Sequence, residues 1–356
     1  MQIEIPWGKL TEKIETGASL DEVEATQAAL WLADANGDFD GKKRFLRSLN
    51  RKGESVSEVF AFAKTFRDLA RHAVGVDVPA TAIDIVGTGG DKSGTFNISS
   101  AASILVSAAG VPVVKHGNRS ITSESGSADF LSCVGVPLEV PDAVLARSLR
   151  ELNYCFFYAP AFHPTYKAFM PVRKALAAEG HKTVFNILGP LINPVAPPMC
   201  LLGVFSAYWV DLLAAVLGKL GVKRGLVCHC ALREGGGLDE LATAGLNRVC
   251  GVGELAHVRG EWLPEDFGLD VRPREELLGG TPDENCTLFG ELLAGRAPKG
   301  LRDTVVFNAA AAFWASGRTP SVRDGVQLAR DLLESGAVRR HADALRDFYA
   351  QDSGRA

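Results

Sequence analysis

The chain alternates short apolar runs with longer stretches in which apolar residues recur every three or four positions. Buried strands are predicted for the short apolar runs at 82–86, 111–114, 154–159, 201–205 and 224–228. Intervening stretches such as 142–152 and 209–220 have the period of helices. This alternation predicts an α/β fold with a central, mostly parallel sheet covered by helices on both faces.

Residues 1 to about 75 have a helical period and predict a small helical unit that precedes the strands. The pattern at 19–22 is typical of a capping box. Acidic residues at 36–41 match the start of a calcium loop, but Arg47 occupies the twelfth position, where a glutamate is required. We therefore interpret 36–41 as a solvated loop between two helices. Two helices are also expected between residue 308 and about residue 333.

Two polar, glycine-rich loops each follow a predicted strand and precede a predicted helix, at 87–100 and 115–127. Glycine lets backbone N–H groups approach a ligand, and a helix N-terminus favours an anion. The two loops together predict a ligand with two separated phosphate groups. Neither common phosphate motif fits, because Lys92 replaces the third glycine of a dinucleotide fingerprint and Asp91 replaces the P-loop glycine.

Four motifs in this region closely resemble the anthranilate phosphoribosyltransferase family. They are GTGGD at 87–91, NISS at 97–100, KHGNRS at 115–120 and SGSAD at 125–129. Further motifs that resemble the family are His-Pro at 163–164, Pro-Val-Arg at 171–173, the segment 183–194 and Gly-x-Asp-Glu at 237–240. The resemblance runs from about Asp84 to the end and is weaker in the first 75 residues.

The resemblance implies transfer of the phosphoribosyl group of 5-phosphoribosyl 1-diphosphate to the amine of anthranilate, a step of tryptophan biosynthesis. It implies a donor site formed by Gly87, Gly90, Asp91, Thr95, Asn97, Ile98, Ser99, Ser100, Lys115, His116, Gly117, Asn118, Arg119, Ser120, Ile121, Thr122, Ser123 and Ser127. Anthranilate is expected at Gly87, Asn118, His163 and Arg173, whose planar guanidinium suits a carboxylate.

The family also implies a Mg²⁺ site formed by Ser99, Asp239 and Glu240. Adjacent carboxylates with substrate phosphates suit this cation, although an Asp-Glu pair alone is a weak signal. The Cys-His-Cys run at 228–230 is not interpreted as a metal site, because strand geometry points the histidine away from the two cysteines.

The resemblance implies a nucleoside phosphorylase/phosphoribosyltransferase-like α/β fold. We expect a helical domain of residues 1–78, with 163–195 packed on it, and an α/β donor-binding domain of 79–162 and 196–356. Segment 183–194 is interpreted as a hinge, and Pro171 is expected to break or kink its helix. The family pairs through its helical domains, so a homodimer is expected.

Composition limits the other function classes. The 356 residues carry a net charge of −4, which predicts no global attraction to nucleic acid or to an anionic membrane. Neither a secretory signal nor an apolar run of membrane-spanning length is recognised in the sequence. Seven scattered cysteines favour reduced thiols, and a cytoplasmic location is expected.

No nucleophile triad is visible, and none is needed because the arylamine is already neutral at pH 7. Two residues depart from the family pattern. Glu124 stands where a small or basic residue is usual and should point to solvent, Arg119 or Lys115, while Ser100 replaces a common threonine. Three alternatives stay open: a nucleoside phosphorylase of the same fold, a paralogue acting on another aromatic amine, and a non-enzymatic nucleic-acid binder.

Overall fold

The N-terminal part of the chain is helical, as predicted. The structure is a computed structural model that describes residues 5–120 and 124–353. The first helices are α1 (Trp7–Glu15), α2 (Glu22–Ala33), α3 (Phe39–Lys52) and α4 (Val56–Asp68). The helical period predicted for this part of the chain is confirmed in α4, where Val59, Phe60, Ala63 and Phe66 are buried.

The start of α2 differs from the expected capping box at 19–22. Asp21 is the capping residue, and its carboxylate accepts the N–H groups of Val23 and Glu24, each at 2.9 Å. Glu24 in turn accepts the N–H of Asp21 at 2.9 Å. The prediction was wrong by two residues because one aspartate satisfies two free N–H groups at the first helical turn.

Within the described residues, eight strands form one sheet. They are β1 (Ile83–Gly87), β2 (Val113–Gly117), β3 (Tyr154–Tyr158), β4 (Met199–Gly203), β5 (Arg224–Leu232), β6 (Gly237–Leu238), β7 (Gly245–Gly253) and β8 (Arg259–Trp262). The order is β3-β2-β1-β4-β5-β7-β8, with β6 beside β5. Strands β1 to β5 pair in parallel and the others antiparallel, which confirms the mostly parallel sheet.

The remaining helices cover both faces of this sheet. They are α5 (Ile98–Ala108), α6 (Ser127–Cys133), α7 (Asp142–Leu152), α8 (Ala159–Phe162), α9 (Tyr166–Ala178), α10 (Phe185–Leu188), α11 (Tyr208–Lys219), α12 (Pro282–Leu293), α13 (Lys299–Ala315), α14 (Val322–Glu334) and α15 (Ala337–Ser353), with 3-10 turns at Gly189–Leu191, Pro264–Phe267 and Arg274–Leu277. Alternate strand residues enter different cores: Ile85 and Leu201 pack with α5 and α13, whereas Val86 and Leu202 pack with the N-terminal helices.

The two helices expected between residue 308 and about residue 333 are confirmed as α13, which begins earlier at Lys299, and α14. Helix α9 continues through Pro171, so the proline does not break the helix. Pro171 is exposed, so its ring faces solvent, and the missing N–H removes one main-chain hydrogen bond from an otherwise intact helix.

Aromatic side chains join α4 to the segment after β3. The Phe66 ring lies 5.3 Å from that of Phe169 and 5.6 Å from that of Phe185, and the last two stack at 3.9 Å. Such pairs contribute about 0.5–1.5 kcal/mol each beyond the area that they bury. Residues of 169–192 therefore share one buried cluster with α1 to α4, and that cluster continues onto one face of the sheet.

The cysteines differ from the expectation of reduced thiols. A disulfide joins Cys133 at the end of α6 to Cys286 in α12, with Cα atoms 6.2 Å apart. The other five cysteines are free and buried. The prediction was wrong for this pair because folding places two helices side by side whose cysteines are 153 residues apart in sequence. Over the described ranges, no helix has the length and apolar character needed to cross a bilayer.

Candidate active site

A cavity of about 300 Å³ lies at the carboxyl edge of the parallel strands, where ligands of α/β sheets bind. Strands β1, β2 and β4 end at this edge in glycine, at Gly87, Gly117 and Gly203. The cavity wall contains the predicted donor residues Gly87, Gly90, Asp91, Thr95, Asn97, Ile98, Ser99, Ser100, Lys115, His116, Gly117, Asn118, Arg119, Ser120 and Ser127. The predicted Ile121, Thr122 and Ser123 lie outside the described residues.

The first glycine-rich loop leads directly into α5, whose first turn faces the cavity. Ile98 is buried in the core, and its N–H donates to the carbonyl of Phe96 at 2.7 Å. The buried Ser100 hydroxyl has no hydrogen-bond partner among the described residues, although Ser100 lines the cavity. An unpaired buried hydroxyl in the first turn of a helix, where the helix dipole is positive, fits an anionic ligand.

Asn97 connects the two glycine-rich loops. Its side-chain amide donates to the carbonyl of Ser125 at 3.2 Å, and its carbonyl oxygen accepts the Ser125 hydroxyl at 3.0 Å. The same oxygen accepts the amide of Asn285 in α12 at 2.8 Å. Asn97 therefore holds the second loop and α12 against the start of α5, which fixes the distance between the two anion-binding segments.

Lys115 and His116 belong to the end of β2 and not to the loop in which the sequence placed them. Lys115 is buried and donates to the carbonyl of Ile85 at 2.6 Å. Asp84, which the sequence did not single out, is also buried and accepts the Asn193 amide at 2.8 Å. Burial raises the pKa of Asp84 to about 6, although the neighbouring Lys115 opposes this shift.

The carboxylates of Asp91, Asp239 and Glu240 lie close to one another beside the first loop. Asp239 accepts the N–H of Gly89 at 2.6 Å, and Glu240 accepts the N–H of Ser99 at 3.1 Å. Burial and then the nearby Asp91 raise the pKa of Asp239 well above its ordinary value. Burial likewise raises the pKa of Glu240 to about 7, opposed by Lys115. Mutual repulsion between buried carboxylates is relieved by a cation.

These oxygen ligands fit Mg²⁺ as part of a coordination sphere. No group of three His, Cys, Asp or Glu side chains within the described ranges is placed to hold a metal by itself. Mg²⁺ usually takes one or two protein carboxylates and completes its sphere with water and substrate phosphates. Asp239 and Glu240 supply the two carboxylates, and the N–H of Ser99 donates a hydrogen bond to Glu240. Asp91 lies beside them and adds a third carboxylate. The sequence had placed Asp91 only in the site of the phosphoribosyl donor.

The cavity that contains the carboxylates is also lined by a cation with no anionic partner. Arg173, on α9, makes no hydrogen bond or ion pair with any other described residue, although it is half-buried and lines the cavity. Burial lowers its pKa, which Tyr166 partly opposes. Tyr166, Phe185 and Asn186 line the same cavity. Aromatic side chains and an unpaired guanidinium in one cavity fit a planar ligand with a carboxylate.

His163, by contrast, does not line the cavity. It is buried behind His116 and Tyr166, with ring centroids 5.1 and 5.3 Å away, respectively. Burial lowers the pKa of His163 to about 4, so the ring is neutral at pH 7. The structure therefore separates His163 from the other predicted acceptor residues, Gly87, Asn118 and Arg173, which do line the cavity.

Sequence reasoning missed most of the aromatic wall. Tyr166 lies in the segment between two recognised motifs, and Phe185, Asn186 and Pro190 lie in the segment interpreted as a hinge. For Phe185, Asn186 and Pro190, the available signal was the resemblance of segment 183–194 to the family. Glu124 is exposed, as its position beside the loop required. His229 does not line the cavity, and its Nδ1 lies 2.7 Å from the carbonyl oxygen of Val204.

Comparison with known proteins agrees with this geometry. The family described as "Glycosyl transferase family, a/b domain" matches residues 79–339. An anthranilate phosphoribosyltransferase of Rhodospirillum rubrum is 41% identical over 337 residues, which cover 93% of this chain and 92% of that protein.

Solved structures agree in fold over nearly the whole chain. The crystal structure of anthranilate phosphoribosyltransferase from Thermus thermophilus superposes with a TM-score of 0.86 at 39% identity, covering 96% of this chain and 99% of that one. The Saccharomyces cerevisiae enzyme in complex with PRPP and Mg gives 0.84 at 25% identity, covering 97% and 98%. The chain therefore belongs to the anthranilate phosphoribosyltransferase family of glycosyltransferases.

Proposed function

We propose that this enzyme transfers the phosphoribosyl group of 5-phosphoribosyl 1-diphosphate to the amine of anthranilate, as in tryptophan biosynthesis. One observation carries the proposal: a single cavity is lined both by an unpaired, half-buried cation, Arg173, and by two buried carboxylates beside a helix start. The first feature suits an aromatic carboxylate, and the second suits a metal-bound phosphate donor.

The donor lies along the first loop and the end of β2. The unpaired hydroxyl of Ser100, in the first turn of α5 at the positive end of the helix dipole, receives one phosphate group. Lys115, near the end of β2, provides positive charge from a buried position, where a charge is less screened by solvent. Asn118 and Ser127 line the second loop and contribute further polar atoms.

Asp239 and Glu240 would hold Mg²⁺, with Ser99 beside them and Asp91 as an additional carboxylate. When bound, this ion would neutralise charge on the departing diphosphate. A related solved structure was determined in complex with PRPP and Mg, which supports the assignment. The backbone N–H of Gly89 fixes the Asp239 carboxylate, so this ligand is oriented before the ion arrives.

We place anthranilate against the part of the cavity lined by Tyr166 and Phe185, with its carboxylate on Arg173. Its amine is neutral at pH 7, so no residue has to remove a proton before attack. The work of the chain is to place the amine opposite the anomeric carbon and to stabilise the leaving diphosphate. We assign no nucleophile and no obligatory base.

Residues 1–78 with 163–195 are proposed as the helical domain, and 79–162 with 196–356 as the donor-binding domain. The buried aromatic contacts between α4 and residues 169–185 support this division. Segment 183–194 contributes to the cavity wall and crosses between the two parts, so we propose that it acts as a hinge. We further propose a homodimer paired through the helical domains, and the cytoplasm as the compartment.

The activity test follows the loss of anthranilate fluorescence with purified protein, 5-phosphoribosyl 1-diphosphate and Mg²⁺, repeated with EDTA. Loss that requires both donor and metal is the expected result. The double variant D239N/E240Q should lose most turnover while it keeps its thermal unfolding temperature. Its matched control is D283N/E284Q, an adjacent Asp-Glu pair on α12 that does not line the cavity. Full turnover in D239N/E240Q would disprove the metal assignment.

A negative activity result also has a defined meaning. If the folded protein binds the donor and anthranilate remains unchanged, the acceptor is another aromatic amine. If neither substrate binds, the proposed function is wrong.

A further inference from the structure

Asp129, in the first turn of α6, holds together two stretches of chain that enter and leave the second glycine-rich loop. Its Oδ1 accepts the guanidinium of Arg119 at 2.6 Å. Its Oδ2 accepts the backbone N–H of Ser120 at 3.1 Å and that of Gly126 at 3.0 Å. The bond from Gly126 is an ordinary helix cap, whereas the other two donors lie nine and ten residues upstream.

We propose that Asp129 is a positioning residue that closes the neck of this loop, defined as residues 118–120 and 126–129, and thereby orients Asn118 and Ser127 toward the phosphoribosyl donor. The inference rests on the proposed function for the identity of the ligand. The role of Asp129 in closing the neck rests on geometry alone.

The two sides of the neck are in direct main-chain contact. A side chain at Gly126 would overlap the backbone of Arg119 and Ser120, so only glycine fits there. Below this contact, the N–H of Ala128 donates to the carbonyl of Asn118 at 3.1 Å, and the Ser127 hydroxyl approaches the same oxygen at 3.3 Å. The start of α6 therefore fixes Asn118, and the Asp129 carboxylate fixes the two residues that follow it.

This arrangement changes the role expected of Arg119. Its side chain is 56% exposed, whereas that of Asp129 is 14% exposed, so the pair lies at the rim of the cavity. The ion pair with Asp129 raises the pKa of Arg119, and Tyr158 adds to this shift. The Asp129 carboxylate pairs with the Arg119 guanidinium and fixes its orientation. Arg119 therefore supports the loop through Asp129 and does not serve as an independent phosphate ligand.

The kinetic test compares D129N, R119Q and the double variant. In D129N the side chain keeps its size and loses its charge, and hydrogen bonds to charged groups are worth more than neutral ones. We expect the KM for the donor to rise about tenfold, with a smaller change in kcat and an unchanged KM for anthranilate. R119Q should behave like D129N, and the double variant should be no worse than either single one. Additive losses would show that Arg119 binds the donor independently and would overturn the proposal.

A second measurement needs no catalytic activity. Trypsin cleaves after arginine, and the bond between Arg119 and Ser120 lies in the neck that Asp129 holds. In the folded protein, D129N should release the fragment ending at Arg119 at least several-fold faster than the unsubstituted chain, as followed by mass spectrometry. An unchanged cleavage rate would overturn the proposal.

Asp142 provides a matched control. It also lies in the first turn of a helix, where it accepts an arginine, Arg71, at 2.8 Å and a backbone N–H, that of Val74, at 2.8 Å. It lies outside the cavity wall, so D142N should change neither the donor KM nor cleavage after Arg119. Failure of the unsubstituted chain to transfer phosphoribosyl groups would contradict the proposed function, and the cleavage rates would still decide the role of Asp129.

Discussion

Gly203, at the end of β4, lies directly against the main chain of Asp239. A side chain at this glycine would overlap the Asp239 carbonyl group and approach the Glu240 nitrogen to 3.0 Å. On the neighbouring strand, a side chain at Gly87 would come within 2.5 Å of Asp239 Oδ2. These paired glycines form a slot that admits the two carboxylates to the carboxyl edge of the sheet.

The first prediction concerns this slot. G203A should displace the 239–240 segment, because backbone atoms cannot yield as the end of a flexible side chain does. Turnover should fall at least about tenfold, and the free energy of unfolding should fall by about 1–3 kcal/mol, the usual cost of overpacking. Steady-state rates and denaturant unfolding measure both quantities. G290A is the control, since a side chain there meets nothing within 4 Å. Normal turnover in G203A would contradict the slot.

The second prediction concerns Arg173. R173Q should raise the KM for anthranilate about 10- to 100-fold, because a charge-assisted contact with the substrate carboxylate is lost. Its stability should stay equal or increase, because a half-buried cation without a partner is removed. Initial rates at saturating donor test the first effect, and thermal unfolding tests the second. K174Q, on the exposed neighbouring lysine, should change neither. An unchanged KM in R173Q would remove Arg173 from the acceptor site.

The third prediction concerns pH and His341, on α15. Its Nε2 lies 2.8 Å from the Ser107 hydroxyl of α5, and burial lowers its pKa from 6.5 to about 4. The folded state therefore binds a proton less readily than the unfolded state, and stability is lost as pH falls from about 6.5 to 4. Between pH 7 and 5 this one residue should account for about 2 kcal/mol of lost stability.

Denaturant unfolding of H341Q and the unsubstituted chain at pH 7 and pH 5 measures that loss. H341Q should be less sensitive to acid by about the same 2 kcal/mol. H72Q, which changes an exposed histidine, should retain the full sensitivity. Equal sensitivity in H341Q and the unsubstituted chain would assign the acid effect to other groups.

The fourth prediction concerns the disulfide between α6 and α12. In denaturant without reductant, thiol titration should find five free thiols, and reduction should expose all seven. The variant C133S/C286S should lose about 2–4 kcal/mol of stability, because the cross-link restricts the unfolded chain. Seven thiols before reduction would disprove the bond.

The sequence by itself determined the local parts of the site. Short apolar runs, glycine-rich loops and helical periods depend on neighbouring residues, so β1 to β5, the loop after β1 and the presence of a helix after that loop could be predicted. Strands β6 to β8 were not predicted, and α5 begins at Ile98, inside the predicted loop. The resemblance to the family identified Arg173, Asp239 and Glu240 as site residues, and all three line the cavity. Helix starts and the exact end of β2 were less certain, because caps and strand limits depend on which N–H groups find partners.

Only the tertiary structure decided which distant residues meet. The strand order places β1 between β2 and β4. In this arrangement the N–H of Gly89 donates to the carboxylate of Asp239, which is 150 residues away in sequence. The same packing adds Tyr166 and Phe185 to the acceptor wall, leaves His163 behind it and brings Cys133 beside Cys286. Chain order does not specify these contacts, because they follow from how sheet and helices bury their apolar faces against one another.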